Sequence, residues 1–125
     1  MKILLGLAAL LLLTTTGEAK KKEPEAKSFK GYLMDKMCAK RRAGDVEKMK
    51  NHTKTCLTEE ACAKSGYGVL VKGKFIPFDQ KGNELAAAYI KNHTGENDFE
   101  IDALGNMKKG KLALVGINNP PVKLN

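Results

Sequence analysis

Gly31 to Gly68 reads GYLMDKMCAKRRAGDVEKMKNHTKTCLTEEACAKSGYG. It holds all three cysteines, Cys38, Cys56 and Cys62, and one of the two histidines, His52. Its first part continues an alternation that begins at Ser28. Phe29, Gly31 and Leu33 fall on one parity, Tyr32 and Met34 on the other. Apolar groups on both parities predict a strand over 28–37, one face in a core and the other partly covered, with Cys38 at its end. From Gly44 to Thr55 the pattern becomes helical. Gly44 or Asp45 caps it, Glu47 sits in the first turn, and Val46, Met49, Thr53 and Cys56 form a weakly apolar stripe. If this helix reaches Cys56, His52 and Cys56 share a face. Thr58-Glu59-Glu60 then marks a new helix start, which runs to Lys64 and stops at Gly66.

Downstream, Tyr67–Val71 and Lys74–Phe78 are β-rich and flank Lys72-Gly73, a hairpin with a tight turn. Asn83 to His93 reads as a helix capped by Asn83 and stopped by Gly95. Asn97–Lys108 alternates again, with Gly105 as an expected bulge or bend. Lys109-Gly110 is a second tight turn, and Lys111–Ile117 a last strand ended by Pro120-Pro121. The fold class that follows is mainly β with helices. Its expected form is a five-stranded OB-like barrel, with a helical cysteine-bearing insertion between strands 1 and 2 and a helix between strands 3 and 4.

Upstream, Lys2 precedes an apolar run of eleven residues, Ile3–Leu13, followed by small residues around Gly17-Glu18-Ala19. The run is too short to span a bilayer and has the layout of a cleaved signal peptide over 1–19. Residues 20–27, KKKEPEAK, read as a flexible tether, and 28–125 as a single domain. The protein is therefore expected to be periplasmic or secreted, with membrane contact only through the signal peptide.

The chain carries 22 Lys and Arg against 14 Asp and Glu, a net charge of +8. Setting residues 1–19 aside leaves that balance unchanged, because Lys2 and Glu18 cancel. Such charge could serve an anionic partner, a membrane surface, an acidic polysaccharide or nucleic acid, but it is mostly lysine spread along the chain and reads first as a solvated lysine-rich surface. Nucleic acid is not expected. Arg41 and Arg42 are the only arginines, and base and phosphate readout leans on guanidinium forks. On the barrel face, Tyr32, Tyr67 and Phe75 beside Lys72 and Lys74 form a candidate binding surface.

Three cysteines in an exported chain leave two arrangements open. One pair of Cys38, Cys56 and Cys62 forms a disulfide and leaves a spare thiol, with the pairing undetermined by sequence. Alternatively, Cys38, His52, Cys56 and Cys62 hold zinc or copper. The Cys56-x5-Cys62 gap is wider than in common zinc knuckles, which favours the disulfide. Asp35, three residues before Cys38, is a candidate to orient a ligand or thiol, or else a cap. A tetrapeptide, Lys-Asn-His-Thr, occurs at Lys50–Thr53 and again at Lys91–Thr94, in both cases near a predicted helix end.

Gly31, Tyr32, Leu33, Asp35, Met37 and Cys38, followed by Cys56, Cys62, Gly66 and the Tyr67–Val71 strand, resemble a group of small exported bacterial proteins of unknown function. The tail FEIDALGNMKKGKLALVGI resembles their closing hairpin. The resemblance covers most of the chain after residue 27 and implies an OB-type barrel without bringing an activity. Many members carry Lys-His shortly after the first cysteine, where this chain has Lys40-Arg41. No Gly-rich phosphate loop, nucleophile triad or paired carboxylates accompany these motifs. The function expected is thus a non-enzymatic binding or interaction module of the bacterial envelope with a disulfide-stapled insertion. Its partner would be an envelope protein, a polysaccharide or a metal ion.

Overall fold

The computed structural model describes residues 25–119. The expected signal peptide, the tether up to Pro24 and the Pro120-Pro121 stop lie outside the described residues. Five strands form one antiparallel sheet: β1 (Lys27–Asp35), β2 (Tyr67–Val71), β3 (Lys74–Pro77), β4 (Glu100–Lys108) and β5 (Lys111–Asn118). Their spatial order is β3-β2-β1-β4-β5. β1 begins at Lys27, the last residue of the expected tether. The ladder is open. Its two edges, β3 and β5, approach at a single parallel bridge between Phe78 and Leu112, where the Asp79 amide donates to the Leu112 carbonyl at 3.0 Å.

Both hairpins turn where the sequence places them. Lys72-Gly73 and Lys109-Gly110 all have positive φ, between 49° and 81°, which matches the twist of the strands they join. The register of β4 against β5 shifts between Leu104 and Gly105, the bulge expected at that glycine.

Side-chain alternation along β1 and β2 builds two cores. Leu33, Tyr67 and Val69 enter the main core with Phe78, Phe99, Ile101, Leu112 and Leu114. The helix α5 (Gln80–Asn92) closes that core with Ala86 and Ile90. Met34 and Leu70, of the opposite parity, enter a second cluster under the insertion. Each fully buried large side chain contributes about 1.5–3 kcal/mol, so covering the second face stabilises the sheet materially.

The insertion consists of four short helices: α1 (Lys36–Arg42), α2 (Val46–Lys50), α3 (Lys54–Thr58) and α4 (Glu60–Ser65). Three expectations are corrected here. The strand ends at Asp35, because its carboxylate caps α1, so Cys38 lies in a helix. The single helix over 44–55 is two helices, because Thr53 caps a new one by accepting from the Cys56 amide at 3.1 Å. The helix after β3 starts at Gln80, not Asn83, because Asp79 takes the cap. Asn83 instead accepts from the Tyr67 amide at 2.6 Å and donates to the Phe78 and Asp79 carbonyls, tying α5 to β2. The repeated tetrapeptide does mark helix ends: Asn51 follows α2 and His93 follows α5 as C-caps.

β2 runs so close to β3 that a side chain at Gly68 would collide with the Ile76 carbonyl and with the Phe75 ring at 2.6 Å. Gly116 faces open space. Gly68→Ala is expected to cost at least about 2 kcal/mol, and Gly116→Ala to stay within about 0.5 kcal/mol. Urea unfolding midpoints of the two variants measure the contrast; equal midpoints would contradict the tight β2–β3 packing.

Candidate metal centre

The junction of β1 and α1 sets the site. Asp35 is the last residue of β1 and lies opposite Tyr67 of β2. It is fully buried. One carboxylate oxygen accepts from the Cys38 amide at 2.8 Å, the bond of a helix N-cap. The other lies 3.1 Å from Nε2 of His52, which is itself fully buried. The next residue, Lys36, donates its amide to the Gly66 carbonyl at 2.9 Å, which brings the end of α4 alongside the start of α1.

That geometry gathers Asp35, Cys38 and Cys62. One carboxylate oxygen and the two sulfurs all lie within 4.8 Å of one another, and all three residues are buried. Each cysteine of the chain is the third residue of its helix, after Asp35, Thr53 and Glu59 respectively. The spacing is the same, but only Cys38 and Cys62 converge, because α1 and α4 pack side by side at the end of the sheet. Cys56 is half-buried and stands outside the group.

The electrostatics follow from burial. Burial pushes the Asp35 carboxyl up. The hydrogen bonds from His52 and the Cys38 amide, with the charge of His52, outweigh it and hold the group below the usual carboxylate range. An ionised Asp35 requires the proton of the pair on Nε2 of His52, which donates. Nδ1 of His52 is buried and has no hydrogen-bond partner among the described residues. Burial, then the Asp35 charge and the neighbouring Cys62, push the Cys38 thiol up to about 12. Burial and Asp35 raise Cys62 as well. Both sulfurs are therefore protonated thiols at neutral pH when nothing is bound to them.

The ligand set read from the sequence changes accordingly. Cys38 and Cys62 come together as candidates. Cys56 drops out, because the break at Asn51–Thr53 separates it from His52. His52 hydrogen-bonds to Asp35 rather than joining the sulfurs, and Asp35 enters the group itself. The sequence signal for this was Asp35-x-x-Cys38, a cap spacing that also carries a carboxylate to the thiol. The aromatic surface is corrected too. Tyr67 is 6% exposed and donates its hydroxyl to the Leu57 carbonyl at 2.7 Å. Tyr32 and Phe75 pack, half-buried, against the second cluster, because the insertion covers that face of the sheet. Lys72 and Lys74 alone of that set are exposed, at the hairpin tip.

No protein-family model, curated protein or solved structure matches this chain.

Asp35→Ala removes a helix cap worth about 1 kcal/mol and leaves a buried imidazole N–H unpaired at a further cost of about 1–3 kcal/mol. The chemical-unfolding midpoint is expected to fall by the sum. The folded-state pKa of Asp35 is depressed, so its contribution is present at neutral pH and lost as pH falls below the ordinary carboxylate range. Asp35→Asn should remove that part of the acid destabilisation. A variant with the same slope of midpoint against acid pH as the parent would contradict it.

Thiol reactivity offers a second check. In the reduced native protein at neutral pH, iodoacetamide should modify Cys56 first, and Cys38 and Cys62 only after unfolding. Peptide mapping that finds all three alkylated at one rate would rule out the buried pair.

Proposed function

We propose that this chain is an exported, non-enzymatic protein of the bacterial envelope that acts as a binding module, and that its ligand is a metal ion held at Asp35, Cys38 and Cys62. The observation that carries this reading is the convergence of three buried ligand atoms within 4.8 Å. A carboxylate and two sulfurs form a donor set for zinc or copper. The His52 hydrogen bond to Asp35 is the outer support that ligating groups commonly have. The scaffold is an OB-like barrel. A helix between the third and fourth strands and the meeting of β3 with β5 at Phe78–Leu112 favour that topology.

A non-enzymatic role is supported by the site's chemistry. A thiol raised to about 12 is a poor nucleophile. The Asp35–His52 pair is sealed from solvent, so a substrate has no route to it as an acid–base couple. An envelope protein or polysaccharide as partner is less favoured, since Tyr32, Tyr67 and Phe75 are turned inward.

A second reading has its own observation. Cys38 and Cys62 are neighbours while Cys56 stands apart, the arrangement of one disulfide and one spare thiol. A Cys38–Cys62 bond would join α1 to α4 across about 24 residues and stabilise the fold by about 3 kcal/mol.

One preparation separates the readings. The exported protein is purified without chelator, and its metal content and free thiols are measured. Stoichiometric zinc or copper, lost in Cys62→Ser, is expected for the metal centre. One disulfide, one thiol and no metal would replace it with the staple.

A further inference from the structure

The donors around the two thiols are unequal in kind. Asp35 is committed, one oxygen to the Cys38 amide and the other to His52. Its lone pairs are partly spent on holding the insertion in place. The other potential donors in the second cluster are sulfur. Met34 and Met49, at 0% and 7% exposure, pack in the same buried cluster as Cys38 and Cys62. The remainder of that cluster, Ala39 and Leu70 with Tyr32 and Phe75 against it, is apolar or aromatic. Two thiols and two thioethers thus share one buried cluster, next to which Asp35 and Nε2 of His52 are already paired with each other; Nδ1 of His52 has no hydrogen-bond partner among the described residues.

Zinc in a closed site takes four nitrogen, sulfur or oxygen ligands, and thioethers are not among its usual ones. Thiolate and thioether together select Cu(I) and ions like it. We infer that the centre is built for a soft monovalent cation of the Cu(I) type, bound by the Cys38 and Cys62 thiolates with Met34 and Met49 beside them, and that Asp35 with His52 positions Cys38 instead of ligating. This rests on the metal-centre reading above and revises its ligand set, with the thioethers in place of the Asp35 carboxylate. Binding replaces two S–H bonds by two sulfur–metal bonds and releases two protons to solvent. No atom changes oxidation state.

The methionines also supply the readout. Met37 and Met107 are exposed, at 40% and 47%, and lie outside the cluster, so they serve as internal controls. The reduced protein, labelled at its methionine methyl groups, is titrated anaerobically with Ag(I), a redox-inert stand-in for Cu(I), while methyl NMR signals are followed. One equivalent is expected to move the Met34 and Met49 signals and leave Met37 and Met107 in place. Competition against chromogenic chelators should show Cu(I) held at least 100-fold more tightly than Zn(II). Met49→Leu, which nearly conserves volume, should weaken Cu(I) at least tenfold with an unchanged thermal midpoint.

Zinc held as tightly as Cu(I) would overturn the soft-cation inference while leaving a metal centre. Unmoved Met34 and Met49 signals on stoichiometric Ag(I) binding would overturn the role of the thioethers, and they need no variant to fold. Binding of neither ion would overturn the metal-centre reading itself.

Discussion

A buried carboxylate paired with a buried histidine sits where β1 becomes α1, and the insertion is arranged around its needs. Asp35 loses its hydration on folding, a cost of several kcal/mol for a charged group left alone. Two hydrogen bonds offset that cost, and each fixes a piece of chain. The Cys38 amide starts α1 at the next residue. The His52 imidazole pins the α2–α3 junction, seventeen residues on, against the end of the sheet. Remove the carboxylate and both pieces lose their reason to be where they are. The four helices of the insertion have five to seven residues each, far below the length at which a helix is stable by itself. Their order comes from caps and packing.

The same anchoring produces the chemistry. Capping α1 at Asp35 places Cys38 on its first turn. Hydrogen-bonding Lys36 to Gly66 brings the end of α4 alongside it, and with it Cys62. The sulfurs meet because the backbone around Asp35 is fully committed. Burial then raises both thiols, which keeps the pair protonated at neutral pH and lowers its reactivity toward electrophiles. Cys56 has the same helical position, but it is half-buried and stands outside this group.

Much of the sheet was legible in the sequence, because strand alternation and turn chemistry are local. Lys72-Gly73, Lys109-Gly110 and Gly105 behave as their neighbours require, and apolar groups on both parities of residues 29–34 pointed to one face in a core and partial cover on the other. The insertion was less legible. Its apolar stripe is weak, and a hydroxyl cap at Thr53 interrupts a pattern that reads as one helix. Caps at Asp35 and Asp79 compete with adjacent candidates, and the winner depends on which carboxylate the fold places next to free amides. The burial of Tyr67 is not legible in the sequence, because alternation says which residues share a face, not what covers that face.

The sequence by itself determined five strands, their turns, a helix-bearing insertion after the first strand, and a cysteine count that demands either a pair or a shared ligand. These follow from backbone geometry and from the chemistry of residue types within a few positions of one another. Only the tertiary structure decided that Cys38 meets Cys62 and not Cys56, that His52 serves Asp35, and that Met34 and Met49 share the buried cluster of the two cysteines. Those outcomes depend on contacts such as Asp35–His52 and Lys36–Gly66, 17 and 30 positions apart, set by how short helices pack on a sheet face, and no local pattern encodes that packing.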